Sequence, residues 1–158
     1  MTIKWLLLDV DGILTDGRLW YDANGEAIKC FHVLDGQGLK ELRQHGVQVG
    51  IISGRDCAAL RTRLAELKIE CFFLGVSDKL TCYNQIKAEH NLQDADIAYM
   101  GDDSPDLPVM QRVGLPITVP NAIAAVKAVA KRCTTAHGGR GAVREVCDYL
   151  IQNQNTAP

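Results

Sequence analysis

The chain has 158 residues, 47% of them hydrophobic and 23% charged, with a formal net charge of -2 and a pI near 6.1. This length predicts one domain, residues 1–158, with a sizeable core and no room for a second. The slightly acidic balance gives no support for a nucleic-acid partner, which would call for a basic excess, and no apolar run approaches the roughly 20 residues that span a bilayer. We therefore expect neither nucleic acid nor membrane as a partner.

The cysteines and the start of the chain favour a cytoplasmic protein. The six cysteines are scattered without a C-x-x-C pair, which argues against a zinc site and a disulfide framework and for reduced thiols. The N-terminal residues lack the basic and long apolar regions of a secretory signal. The sequence leaves open what the thiols and His137 do.

The first predicted element is a buried strand that ends in acids. Residues 5–8 are all apolar and run directly into Asp9 and Asp11, with Gly12 immediately after. An unbroken apolar run of this length is typical of a strand covered on both faces in a parallel sheet. The two carboxylates would then lie at the carboxyl edge of the sheet, where open α/β sheets bind ligands.

A hairpin is predicted next, at about residues 18–34. Residues 19–21 and 27–33 are prone to form strands, and the Asn24-Gly25 turn lies between them. This is the one stretch that interrupts an alternation of strands and helices.

The remainder of the chain alternates strands and helices up to a C-terminal tail at about residues 135–158. Helices are predicted at 36–45, 57–67, 79–90, 105–113 and 122–130, with a last one ending near 152, and strands at 47–52, 71–74, 97–100, 115–119 and 132–134. Strands separated by helices of this length indicate an α/β fold with a doubly wound, mostly parallel, Rossmann-like sheet.

Polar residues follow several of these strands, and the parallel sheet would bring them to one edge. They are Asp9 and Asp11, Ser53, Lys79 at the start of the helix after the third strand, and Asp102 and Asp103. Clustered carboxylates repel one another unless a cation compensates, and hard oxygen ligands suit Mg²⁺, which also takes a phosphate oxygen. A phosphate would be met on its other side by the lysine and the serine hydroxyl.

These residues carry a resemblance to a known family. The segments DVDGILTDG at 9–17, IISGR at 51–55, Lys79 and GDDSPD at 101–106 resemble, in order, the four motifs of the haloacid dehalogenase-like phosphohydrolase superfamily. The short length, the hairpin in place of a cap domain and the segment GGRGAVRE at 138–145 are most similar to the 3-deoxy-D-manno-octulosonate 8-phosphate phosphatases. Phosphatases of a sialic-type 9-phosphate sugar acid, and phosphatase-like domains fused to sugar-nucleotide synthetases, are also similar.

The resemblance implies a phosphomonoesterase mechanism with an aspartyl-phosphate intermediate. Asp9 would be the nucleophile, and Asp11 the general acid and base. Ser53, Gly54 and Lys79 would bind the transferred phosphoryl group.

The resemblance also implies one Mg²⁺ ion as cofactor. Its ligands would be the Asp9 and Asp102 side chains and the Asp11 backbone carbonyl. Asp103 and Asp106 would act behind the ligands rather than on the metal.

Substrate binding is implied for three arginines. Arg55 and Arg63 would face the carboxylate of a sugar acid, and Arg140 would reach the site of a neighbouring subunit within a homotetramer. The expected reaction is hydrolysis of 3-deoxy-D-manno-octulosonate 8-phosphate in lipopolysaccharide precursor synthesis. The alternatives are the sialic-type 9-phosphate as substrate and a catalytically idle module that serves assembly or regulation.

Overall fold

The computed structural model describes residues 2–154, apart from the side chains of residues 26 and 27. In chain order the strands are β1 (Trp5–Leu8), β2 (Trp20–Asp22), β3 (Gly25–Ile28), β4 (Gln48–Ile52), β5 (Cys71–Phe73), β6 (Ile97–Met100), β7 (Leu115–Thr118) and β8 (Arg132–Cys133). The α-helices are α1 (Val33–Gln44), α2 (Ala58–Leu67), α3 (Lys79–His90), α4 (Leu107–Met110), α5 (Ala124–Val129) and α6 (Ala142–Gln154).

Six of the strands form one parallel sheet in the order β5-β4-β1-β6-β7-β8, and β2 and β3 form a separate antiparallel hairpin. The predicted doubly wound parallel sheet is therefore confirmed. β1 lies in the middle, where Leu8 pairs with Ile51 of β4 on one side and with Met100 of β6 on the other. The chain builds outward from β1 in one direction and then in the other, so the crevice at the carboxyl end of β1 is the switch point where such sheets bind ligands.

Two groups of helices flank the sheet. Helix α1 contacts α2 and α6, while α4 contacts α3 and α5. The core between them is apolar, with all four residues of β1 and all four residues of β6 buried. No helix among residues 2–154 is long and apolar enough to cross a membrane.

The prediction was wrong about the end of the hairpin. Residues 27–33 were expected to form a strand, but β3 ends at Ile28 and Val33 already starts α1, three residues before the predicted helix start. The ring Nδ1 of His32 accepts a hydrogen bond from the Leu34 N–H at 3.2 Å and caps the helix. Valine is typical of strands, and residue 33 was therefore assigned to one. In the structure Val33 lies in the first turn of α1, where its side chain is 75% exposed.

The helix after β6 is also shorter than the predicted 105–113. A 3-10 turn at Ser104–Asp106 precedes α4, which ends at Met110. The chain then turns so that the Gly114 N–H donates to the Asp94 carbonyl at 2.6 Å. A side chain at Gly114 would lie 2.7 Å from the Ala95 Cα, so this close approach requires glycine.

Candidate active site

A cleft of about 560 Å³ opens at the carboxyl edge of the sheet, beside the ends of β1, β4 and β6. The predicted site residues that line it are Asp9, Asp11, Gly54, Arg55, Lys79, Asp102, Asp103 and Asp106. The parallel sheet thus brings together residues that lie up to 97 positions apart in the sequence, from Asp9 to Asp106.

The deepest part of the cleft is a lysine held between two aspartates. Lys79 is the first residue of α3, and its Nζ lies 2.8 Å from Asp9 Oδ1 and 2.7 Å from Asp106 Oδ1. Burial alone would lower the pKa of Lys79, but the two carboxylates outweigh burial and hold that pKa above its ordinary value. The ammonium is therefore charged and fixed beside Asp9.

Asp106 holds both the Lys79 ammonium and the loop after β6 in place. It is completely buried. Its Oδ1 accepts from the Tyr99 hydroxyl at 2.6 Å as well as from Lys79, and its Oδ2 accepts from the backbone N–H groups of Asp102 at 2.9 Å and Asp103 at 3.1 Å. Both oxygens are already engaged with donors, so this side chain suits a supporting role better than metal ligation.

Asp102 lies beside Asp9 and has a carboxylate oxygen that could bind a metal ion. Carboxylate oxygens of Asp9, Asp102 and Asp106 lie within 4.8 Å of one another. Among the described residues, Asp102 Oδ1 is buried without a hydrogen-bond partner. A side chain on Gly12 would lie 1.8 Å from Asp102 Oδ2, so the glycine makes room for this carboxylate.

The electrostatics of this cluster favour a cation. Burial raises the pKa of Asp9 to about 6, with the Asp106 charge adding to the rise and Lys79 opposing it. Burial and the charges of Asp9 and Asp106 raise the pKa of Asp102 to about 8. A bound divalent cation would lower both pKa values, because it stabilises the ionised carboxylates. Carboxylate oxygens without another partner are the ligands that Mg²⁺ prefers.

The turn after β4 carries Ser53, which lies outside the lining of the cleft, and Gly54 and Arg55, which line it. Ser53 is buried, and its Oγ accepts from the Arg55 N–H at 3.2 Å, which leaves the hydroxyl proton free to donate. Gly54 is exposed and lines the cleft. The Arg55 Nε lies 3.6 Å from Asp11 Oδ2, and its Nη1 donates to the Tyr21 hydroxyl at 3.2 Å.

Asp11 has a further partner that sequence reasoning missed. Lys29, just after β3, places its Nζ 2.6 Å from Asp11 Oδ1 with its side chain only 2% exposed. The alternation of residues 28–30 puts Lys29 on the opposite side from its two apolar neighbours, but it does not indicate which residue the lysine contacts.

Asn121 is a second residue beside the site that the sequence did not reveal, and it joins two backbone segments. Its Nδ2 donates to the Gly12 carbonyl at 3.0 Å, and its Oδ1 accepts from the Gly138 N–H at 2.9 Å. A side chain at Gly138 would lie 1.8 Å from the same Gly12 oxygen. The glycines of the tail are therefore closely packed against the loop that follows Asp11, and Asn121 joins the two.

Three predicted residues take positions at the edge of the cleft or beyond it. Asp103 is exposed and accepts from the Ser104 N–H at 2.7 Å. Arg63 lies outside the lining of the cleft, with its guanidinium 5.7 Å from the centre of the Phe31 ring, and Arg140 is exposed on the tail. The position of Arg63 gives no support to its predicted contact with the substrate, whereas Arg140 was predicted to act on a neighbouring subunit and stays a prediction.

A family model described as haloacid dehalogenase-like hydrolase matches residues 74–146. Among curated proteins, the 3-deoxy-D-manno-octulosonate 8-phosphate phosphatase of Haemophilus influenzae is 46% identical over 152 residues, covering 96% of this chain and 84% of the relative. The phosphatase of the same name from Yersinia pestis is 40% identical, covering 97% of this chain and 82% of the relative.

Solved structures agree with these relatives. The cobalt-bound phosphatase of Haemophilus influenzae superposes with a TM-score of 0.94 at 45% identity, covering 98% of this chain and 90% of that one. The phosphatase of Moraxella catarrhalis, solved with a magnesium ion, a phosphate ion and a KDO molecule, has a TM-score of 0.94 at 42% identity, covering 97% and 88%.

Proposed function

This chain belongs to the 3-deoxy-D-manno-octulosonate 8-phosphate phosphatase family of haloacid dehalogenase-like hydrolases, and on that premise we propose that it hydrolyses this phosphate monoester to 3-deoxy-D-manno-octulosonate and phosphate. The reaction would serve the synthesis of lipopolysaccharide precursors. The observation that carries the proposal is the group formed by buried Asp9, buried Lys79 and the buried Oδ1 of Asp102, which combines a nucleophile, a fixed cation and an unpaired metal ligand.

Asp9 attacks the phosphorus of the substrate in the proposed first step. A carboxylate that approaches a phosphate dianion meets like-charge repulsion, and the Lys79 ammonium at 2.8 Å offsets part of it. Asp106 keeps that ammonium in place from the opposite side. The hydroxyl of Ser53 and the backbone at Gly54 bind the transferred phosphoryl oxygens, and the product of this step is an aspartyl-phosphate.

Asp11 exchanges the proton in both steps. It protonates the departing sugar oxygen in the first step and then removes a proton from the water that hydrolyses the aspartyl-phosphate. The Asp11 side chain borders the same cleft as Asp9 but bonds to different cations, so the two carboxylates have separate environments.

Mg²⁺ fits the remaining donors. We assign its protein ligands to the Asp9 and Asp102 side chains and the Asp11 backbone carbonyl, with Asp103 and Asp106 outside the ligand set. When bound, the ion supplies positive charge that reduces the repulsion between the carboxylates and the phosphate.

Arg55 is the residue of this chain best placed to recognise the sugar acid. Its guanidinium is partly exposed at the mouth of the cleft, where a fork of N–H donors suits a carboxylate. Arg140 of a neighbouring subunit would complete recognition in an assembled enzyme. Arg63 stays a weaker candidate, because its guanidinium already donates to the His32 carbonyl at 3.4 Å.

We further propose a homotetramer in the cytoplasm. The hairpin exposes Trp20 by 54%, Tyr21 by 61% and Ile28 by 60%, an apolar surface beside the cleft that suits contact with other copies of the chain. Burial of this surface would also help to exclude water from an otherwise open site.

Measurement of released phosphate tests the proposed activity. The purified protein with Mg²⁺ should hydrolyse 3-deoxy-D-manno-octulosonate 8-phosphate with a higher kcat/KM than the sialic-type 9-phosphate, and a chelator should abolish both activities. Faster turnover of the 9-phosphate would reassign the substrate. Folded protein that releases phosphate from neither compound would be an idle module, and the proposal would fail.

A further inference from the structure

At the end of β3 and just after it, a lysine side chain is buried and its apolar neighbours are exposed to solvent. Folded proteins usually show the opposite, with apolar side chains buried and lysines exposed. Ile28 is 60% exposed and Cys30 is exposed, whereas the Lys29 side chain between them is only 2% exposed. Successive side chains in an extended segment face opposite sides, and lysine is almost never fully buried unless it is paired. The inward position of Lys29 therefore needs a partner that repays its desolvation.

That partner is the carboxylate of Asp11. The Lys29 Nζ lies 2.6 Å from Asp11 Oδ1, while the Arg55 Nε lies 3.6 Å from Asp11 Oδ2. The two oxygens thus differ: Oδ1 has a close, buried ammonium, and Oδ2 faces a partly exposed guanidinium at the mouth of the cleft.

Two lysines therefore contact the aspartates that line the cleft, each on a different carboxylate. Lys79 contacts Asp9 and Asp106, and Lys29 contacts Asp11. Lys79 belongs to a helix that starts at the sheet edge, and Lys29 directly follows the second strand of the hairpin. Asp11 is consequently the point at which the hairpin meets the chemistry of the cleft.

We propose that Lys29 is a positioning residue, which holds Oδ1 of Asp11 so that Oδ2 is the oxygen that exchanges the proton with the substrate. The inference rests on the proposed phosphatase function. When the phosphorus–oxygen bond of the substrate breaks, Oδ2–H gives its proton to the departing sugar oxygen. The resulting carboxylate keeps its contact with Lys29, and Oδ2 then accepts a proton from the water that attacks the aspartyl-phosphate.

The leaving group of the substrate distinguishes this role from a structural one. A sugar alkoxide is a poor leaving group and needs a proton, whereas p-nitrophenolate departs without one. Since kcat/KM reports the steps up to departure of the leaving group, the requirement for Asp11 appears in kcat/KM with the sugar phosphate and not with p-nitrophenyl phosphate.

The experiment compares Lys29→Met and Lys29→Gln with wild type on both substrates in the presence of Mg²⁺, with Lys127→Met on the exposed surface of α5 as the matched control. General acid–base catalysis contributes about 10²–10⁴-fold, so kcat/KM for the octulosonate 8-phosphate should fall by about 10-fold or more. With p-nitrophenyl phosphate it should fall by less than about 3-fold, because no proton is required there.

Three results would overturn the proposal: equal losses on both substrates, no loss on either, or unfolding of both variants in thermal melts. The wild-type arm alone tests the proposed function. If wild type releases no phosphate from the octulosonate 8-phosphate, the sialic-type 9-phosphate replaces it as the substrate with a sugar leaving group. The ratio of the variant's kcat/KM to that of wild type then tests Lys29 in the same way.

Discussion

The buried edge of the sheet and the exposed hairpin border the same cleft but are built in opposite ways. At the sheet edge, Lys79, Tyr99 and Asp106 are buried, and both Asp106 oxygens are engaged by hydrogen-bond donors. On the hairpin, Trp20 and Tyr21 are each more than half exposed. The difference indicates that the reacting groups are pre-organised by the core, while the surface that faces other molecules is left open.

The contrast has a physical reason. A buried charge must be satisfied by fixed partners, since an uncompensated one costs several kcal/mol, and this requirement makes the sheet edge rigid. The hairpin has no such requirement, and the buried charge nearest to it in the chain is Lys29, which follows β3 and contacts Asp11 of the cleft. Changes at the sheet edge should therefore affect both stability and chemistry, and changes on the hairpin should affect substrate handling.

The largest effect is expected from Asp9→Asn, which removes the proposed nucleophile from the sheet edge. We expect kcat to fall by about 10³-fold or more, the scale seen when a covalent nucleophile is lost. Phosphate release under saturating substrate and Mg²⁺ measures it. Asp16→Asn, an exposed aspartate in the same loop, is the control and should retain near-normal activity. Substantial turnover by Asp9→Asn would show that another group attacks phosphorus.

The rigidity of the sheet edge is tested by Asp106→Ala. This change leaves the Tyr99 hydroxyl and the two backbone N–H groups that Asp106 accepts without their acceptor, and it removes one of the two carboxylates on Lys79. The free energy of unfolding in urea should fall by about 3–5 kcal/mol, as for other broken buried pairs. Asp103→Ala, which removes an exposed cap, should cost about 1 kcal/mol. Equal costs for the two changes would contradict the contrast between buried and exposed acids.

Metal binding should depend on pH because two of the proposed metal ligands, Asp9 and Asp102, have raised pKa values. In the metal-free chain burial raises the pKa of Asp9 from 3.8 to about 6 and that of Asp102 from 3.8 to about 8. A carboxyl raised in this way stabilises the fold below pH 3.8, and its contribution is lost as the pH rises through the folded-state pKa. The metal-free protein should therefore lose stability between pH 4 and 8.

Mg²⁺ binds the ionised carboxylates and should restore that stability most at the upper end of this range. At 100 times its Kd and pH 8, the ion should raise the Tm by about 5–10 °C, and the shift should shrink at pH 5.5. Thermal melts at both pH values measure the effect, and Asp102→Asn should remove most of it. A shift that is larger at pH 5.5 would contradict the proposed ligand set.

The parts of the site that the sequence predicted are those with a local signal. The apolar run before Asp9 identifies both the strand and the edge at which its acids lie, and the helical spacing of Leu80, Tyr83 and Ile86 places Lys79 at a helix start. Lys29 and Asn121 act through contacts 18 and 109 residues away, and no local pattern specifies such partners. The early start of α1 was missed because exposed apolar residues in its first turn read as a strand.

The smallest expected effect is on the hairpin, where Tyr21→Phe removes the hydroxyl that accepts from Arg55 at 3.2 Å. Since an exposed hydrogen bond contributes about 0.5–1.5 kcal/mol, KM for the sugar phosphate should rise by about 2- to 10-fold with kcat little changed. Steady-state kinetics measure both constants, and Tyr149→Phe on α6 is the matched control. A fall in kcat with unchanged KM would show that Tyr21 affects the chemical steps, as the residues of the sheet edge are expected to do. The proposed division of roles between sheet edge and hairpin would then fail for Tyr21.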